Sequence, residues 1–137
     1  MLVSNSINSH KNILNSLLKD CDGTLYIASP YLAEEMGGFL EEFDFSNVER
    51  VELITTFKPK NIEQLTKPIQ IRDFFNHFKS RYPKMQVIVH VDNYLHGKLY
   101  ILGKHNRKMI VTSANFTKNG MVGNHEFGLL IEDDTII

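Results

Sequence analysis

The order in which apolar spacing changes along the chain constrains the fold most. Residues 6–21 place Ile13, Leu14, Leu17, Leu18 and Cys21 at helical spacing, and "DCDG" ends that run. "TLYIAS" (24–29) is a short apolar strand, and "SPY" turns the chain. A second helix is predicted over 31–43, with Leu32, Met36, Phe39, Leu40 and Phe43 on one face. Gly37 and Gly38 inside it each cost about 1 kcal/mol of helix propensity. "RVELITTF" (50–57) is a strand, and no period can be assigned between Pro59 and Pro68. A third helix is predicted over 71–82, with Ile71, Phe74, Phe75 and Phe78 inward. Strands follow at 85–91, 97–103, 108–114 and 125–132, and His90 lies in the apolar run of the first as a core residue. The short "KHNR" connection (104–107) makes the second and third of these a hairpin. Early helix–strand alternation requires crossovers, while the late strands permit antiparallel pairing. Together they imply an α/β domain, a mixed sheet covered by helices.

A chain of 137 residues suits one domain. Cys21 is its one cysteine, so an intrachain disulfide and a Cys-rich zinc site are excluded. The N-terminal stretch is polar, and the longest apolar runs have strand length rather than the roughly 20 residues of a membrane span. These features point to a soluble protein of the reducing cytoplasm. Net charge is −1, but its distribution is uneven. Asp20, Asp22, Glu34, Glu35, Glu41, Glu42, Asp44 and Glu49 fall in a stretch without Lys or Arg. Residues 93–125 carry Lys98, Lys104, Arg107, Lys108 and Lys118 and no acid. The second segment is either a solvated basic face or one suited to an anionic ligand.

"HGKLY" (96–100) sets His96, Lys98 and Tyr100 on one face of a strand and Leu99 on the other. An imidazole fixed beside an ammonium is unfavourable in a plain core and useful beside a bound anion. A satisfied structural histidine is the alternative for His96 alone. "VTSANFTKNG" (111–120) leaves a strand with Ser113 and Asn115 at the same parity, and "NHEFG" (124–128) puts Glu126 at the head of the last strand. An imidazole, a cation, two neutral hydrogen-bonding groups and a carboxylate at strand ends are the parts a phosphodiester site needs. The remaining histidines, His10, His77, His105 and His125 among them, show no metal-ligand spacing. Tyr100 and Phe116 are read as packing residues.

The three segments together resemble the phospholipase D superfamily, whose signature is H-x-K-x4-D, then G-S-x-N, then a Glu or Asp. Here His96 and Lys98 match the first element, Ser113 and Asn115 the second, and Glu126 the third. Gly103 stands where the family has Asp, and Thr112 where it has the Gly of G-S-x-N. "SANF" and "NHEFG" are most similar to the metal-independent restriction-endonuclease branch, and "LYIASPYL" resembles the family's first strand. The resemblance implies a phospholipase D-like α/β/α sandwich over residues 1–137, without the C-terminal helix or recognition domain of larger relatives. It implies His96 as nucleophile, Lys98 and Asn115 on the phosphate oxygens with Ser113 assisting, and Glu126 orienting His96. It implies no metal and no cofactor. One motif per chain implies a homodimer that pools two histidines. The expected substrate is DNA, with Lys104, Arg107, Lys108 and Lys118 as further phosphate contacts or as an exposed basic hairpin. A phospholipid hydrolase and a degenerate, non-catalytic nucleic-acid-binding or assembly module are the alternatives.

Overall fold

The computed structural model describes residues 1–137. Its strands are β1 Leu2–Ser4, β2 Gly23–Ala28, β3 Val48–Thr55, β4 Gln86–Val91, β5 Leu99–Leu102, β6 Lys108–Thr112 and β7 Phe127–Ile131. Three α-helices accompany them, α1 His10–Lys19, α2 Met36–Leu40 and α3 Lys67–Arg81, with a 3-10 turn at Ile62–Gln64 and a π-helical turn at Asn119–Gly123. The strands form one seven-stranded sheet in the order β1-β7-β6-β5-β2-β3-β4. β2, β3 and β4 are parallel, joined through α2 and α3, and every other pairing is antiparallel. The mixed sheet, its crossovers and the β5–β6 hairpin are those the sequence predicts.

All three helices pack on one face. Leu14 and Leu18 of α1, Met36 and Leu40 of α2 and Phe74 and Phe78 of α3 share a core with Leu25, Ile27, Val51, Leu53, Tyr100, Leu102, Ile110 and Leu130 of the sheet. Phe39, Phe43 and Phe116 meet edge-on or tilted within this core, Phe39 and Phe116 at 4.7 Å between centroids. The opposite face carries Tyr26, Val111 and Leu129, which stay partly open to solvent. The helices form one layer against the sheet. No helix is long and apolar enough to cross a membrane.

Several local differences from the sequence expectation have physical causes. α2 spans five residues rather than the predicted thirteen-residue stretch, because Leu32 bridges to Phe116 and the helix begins only after a turn at residues 34–35. The apolar positions Leu32, Met36, Phe39, Leu40 and Phe43 are nonetheless all buried, so the period reported burial rather than helix length. α3 begins at Lys67, with Pro68 in its first turn, where the missing N–H costs nothing. Phe75 is 39 % exposed and not inward, while Phe74 and Phe78 are fully buried. His90 is not a core residue either. It lies exposed on the edge strand β4, with Nε2 3.1 Å from the Glu52 carboxylate. β1, at three residues, is too short to show a period.

A polar knot ties residues 5–10 to β6 and β7. Asn5 Nδ2 donates to Gly120 O and Asn124 O, both at 2.9 Å, which turns Oδ1 toward His10 Nδ1 at 2.8 Å. Oδ1 can only accept, so Nδ1 carries the hydrogen, and His10 Nε2 meets Thr112 Oγ1 at 2.7 Å. Thr112 fits because Gly128 lies opposite: a Cβ on Gly128 would come within 2.7 Å of Thr112 Cβ and 2.9 Å of Val111 O. Gly128→Ala is expected to destabilise the protein by about 2 kcal/mol, measured by urea denaturation. An unchanged midpoint would show that the strand pair relaxes freely.

Burial lowers the pKa of His10, against the opposing charge of Glu126. Its folded value lies below its unfolded value, so its contribution to stability is present above the unfolded pKa and lost as pH falls. His77 is lowered for the same reason, with Glu41 raising and Arg81 lowering it further. Denaturation midpoints are expected to drop between pH 7.5 and pH 5, and the drop should shrink in His10→Gln. An equal drop in both proteins would remove His10 from this account.

Candidate active site

The antiparallel register brings the predicted residues to one end of the sheet. Ala28 pairs with Leu99, Leu99 with Val111, and Thr112 with Gly128. The segments just beyond these pairs are Ser29 after β2, His96–Lys98 before β5, Ser113–Asn115 after β6 and Glu126 before β7. β5 starts at Leu99 rather than residue 97, so His96 and Lys98 sit on the segment leading into the strand. Thr112 N–H donates to Lys98 O at 3.2 Å, which extends the ladder by one step.

Asn115 is oriented by the segment that follows β2. Tyr31 N–H donates to its Oδ1 at 3.4 Å, and the Ser29 hydroxyl lies 3.2 Å from the same oxygen. Ser29 also accepts from Phe116 N–H at 2.8 Å and approaches Tyr31 O at 2.6 Å. With Oδ1 engaged, Nδ2 faces away from the turn and makes no intramolecular hydrogen bond, which leaves it as a donor for an external oxygen. The Asn115 backbone is held from behind by Gly120, where a Cβ would lie 2.1 Å from Asn115 O. Buried Tyr100 supports the same loop by donating to Ala114 O at 3.0 Å. Burial, and then the Glu126 charge, raise its pKa well above the usual phenol value.

Ser113 Oγ donates to the Glu126 carboxylate, and Phe127 N–H donates to Ser113 Oγ at 3.3 Å. The hydrogen-bonded partner of Glu126 in this structure is thus Ser113. The His96 imidazole is exposed and has no intramolecular hydrogen bond, and the Lys98 ammonium forms no ion pair. Lys98 Nζ, Asn115 Nδ2 and the His96 ring therefore offer unsatisfied polar groups from adjacent segments at one sheet end, an arrangement suited to a tetrahedral oxyanion.

The other four predicted cations do not act as one group. Lys104, Arg107 and Lys108 lie at or next to the β5–β6 turn, at the far end of those strands, roughly 13 Å from the motif by strand rise alone. Arg107 is paired with Asp134, Nε to Oδ1 at 2.5 Å. Lys118, on the loop after β6, does lie at the site end. It lines a cleft of about 690 Å³ with Tyr31, Glu35, Phe39, Glu63 and Thr117. Lys58 and Lys60, which follow β3, are at the same end and escaped the sequence reading. So did Ser29 and Tyr31 as supports of Asn115, although "LYIASPYL" contained them. No three His, Cys, Asp or Glu side chains come together as a metal-binding group.

The family model for the PLD-like domain of cardiolipin synthase matches residues 14–137. No curated protein sequence matches the chain. Among solved structures the chain is similar to Nuc from Salmonella typhimurium, a phospholipase D family member, with a TM-score of 0.62 and 16% identity over 96% of this chain and 81% of that one. NucT from Helicobacter pylori matches with a TM-score of 0.57 and 16% identity over 99% of this chain and 86% of that one. A yeast tyrosyl-DNA phosphodiesterase matches at 0.55 and 14%, over 95% of this chain and 31% of that chain. At these identities the structures share a fold, and the family match spans most of the chain: the protein belongs to the phospholipase D-like phosphodiesterase superfamily.

Proposed function

We propose that this protein is a metal-independent phosphodiesterase that hydrolyses DNA through a phosphohistidine intermediate in a dimeric active site. What supports the reading is that the segments bearing His96, Lys98 and Asn115 end at one edge of the sheet, with Asn115 Oδ1 occupied by Tyr31 N–H and its amide nitrogen left without an intramolecular partner. His96 attacks phosphorus and the bond to the leaving alcohol breaks. A protonated imidazole opposite gives its proton to the departing oxygen. Water then attacks the phosphohistidine, loses its proton to that imidazole, and the P–N bond breaks. Lys98 neutralises charge on the non-bridging oxygens, Asn115 Nδ2 donates a hydrogen bond to them, and Ser113 holds the Glu126 carboxylate beside the motif. Glu126 orients His96 once substrate draws the exposed imidazole inward.

In-line displacement puts nucleophile and acid on opposite sides of phosphorus, and this chain carries a single motif. A twofold dimer resolves this, with the partner subunit supplying the second imidazole. Lys58, Lys60, Lys98 and Lys118 at the site end provide attraction for a polyanion. A cytoplasmic location fits this substrate and the single buried thiol. One observation favours a second substrate class: Glu34, Glu35, Glu42 and Glu63 line the adjoining cleft, which suits a cationic or neutral alcohol such as a phospholipid headgroup better than a second phosphate.

DNA cleavage in excess EDTA is expected for the native protein and should fall to background in His96→Ala. Equal residual cleavage in both would remove the proposed nucleophile. Asn115→Ala is expected to lower kcat about 10²–10³-fold. A vesicle phospholipid hydrolysed in preference to DNA would select the second reading.

Sedimentation should show a dimer whose pH–rate profile is bell-shaped, since one imidazole must be neutral and the other protonated. Mixing native chains with an excess of His96→Ala chains should drive activity below the level set by simple dilution. A monomer with full activity would contradict the shared site.

A further inference from the structure

Lys67 is a buried cation that the chemistry above leaves unused. It stands in the first turn of α3 and is 1% exposed. Its ammonium donates to Pro30 O at 2.7 Å, Thr56 O at 2.6 Å and Thr55 Oγ1 at 3.1 Å, so all three protons are committed and none goes to a carboxylate. Pro30 O also accepts from the Thr55 and Thr56 hydroxyls at 3.3 and 3.0 Å. The residues on either side of Pro30 are Ser29 and Tyr31, the two that engage Asn115 Oδ1. The path from the ammonium to the phosphate-binding amide is therefore one turn long.

We infer that Lys67 is a positioning residue for the anion site: its charged ammonium fixes the Ser29–Pro30–Tyr31 turn against Asn115, and anion affinity at Asn115 follows that charge. The inference rests on the proposed anion site, and it deepens that reading by naming what holds the site in shape. A neutral amine keeps two protons for three acceptors, so deprotonation releases one anchor of the turn and removes the positive charge behind it. Burial is the one cause acting on this group, and it lowers the Lys67 pKa to about 8. The ionisable side chains on the segments around it are Tyr31 after β2, Lys58 and Lys60 after β3, Glu63 on the turn before α3 and Asp92 after β4. Glu63 is engaged by the Tyr31 hydroxyl at 3.1 Å, and none of the five forms a hydrogen bond or ion pair with Lys67.

A purely structural lysine would behave differently. Because the folded state lowers this pKa, the folded protein holds fewer protons than the unfolded chain between about pH 8 and the unfolded value. This group then makes the protein more stable as pH rises through that window. Affinity falling over the same window cannot come from unfolding driven by Lys67.

The test uses inorganic sulfate, whose charge is constant above pH 6, with carbon-detected NMR reading the Asn115 side-chain carbonyl and the Lys67 Cε resonance. In the native protein sulfate affinity is expected to weaken about tenfold between pH 7 and pH 9.5, with a midpoint matching the Cε titration. Lys67→Met should bind weakly and without that midpoint, and Lys67→Arg, which stays charged, should bind well at both pH values. Native affinity that is unchanged across the Cε midpoint overturns the inference, and so does tight binding with the native pH profile in Lys67→Met. If neither variant folds, the native comparison of the two midpoints decides alone. Sulfate binding at Asn115 without hydrolysis of any phosphodiester would remove the enzymatic reading and leave this one standing; absence of sulfate shifts at Asn115 at any pH would overturn both.

Discussion

The register of β2, β5, β6 and β7 is the constraint on which the rest depends. Side chains alternate at a period of two, so a one-residue slip of β5 against β6 would bury the wrong set of Tyr100, Ile101 and Leu102 and displace the His96–Lys98 segment that leads into β5. Burial of Tyr100, Leu102 and Ile110 under the helices resists that slip, since each is at most 2% exposed. The apolar core thus fixes polar geometry at a distance: it sets which strand ends coincide, and the coincidence assembles the site.

Around that frame the polar contacts form layers of support. Lys67 and the two threonines hold Pro30, Ser29 and Tyr31 hold Asn115, and Gly120 and Tyr100 hold the loop from below. His10 and Asn5 tie Thr112 and the segment 120–124 together. The groups proposed to touch substrate are by contrast short of partners. A site whose supports are satisfied and whose donors are not is prepared for a ligand that completes it, at little reorganisation cost.

The sheet, its mixed pairing and the motif were legible because long apolar periods and spaced chemical residues survive in a linear string. What escaped was set by pairing or by neighbours. β1 has too few residues for a period, and α2 is short because Leu32 joins Phe116 instead of continuing a helix. His90 reads as core from its own strand, yet β4 is the sheet edge, a fact only strand order reveals. Lys104, Arg107 and Lys108 looked like site residues by sequence proximity to His96, but one strand length carries them away. Thr112 departs from the family Gly, and the reason lies across the sheet in Gly128 and in His10, about a hundred positions upstream. Gly103, where the family has Asp, adopts φ +101° at the far turn, a conformation that disfavours any side chain.

The central claim is that His96 becomes covalently bonded to phosphorus. Rapid mixing with a radiolabelled phosphodiester, an alkaline denaturing quench and peptide mapping measure this directly. The account predicts a phosphoramidate that accumulates before steady state and maps to His96. Turnover of the same substrate with no protein-bound phosphorus, or with the label on another residue, would contradict it.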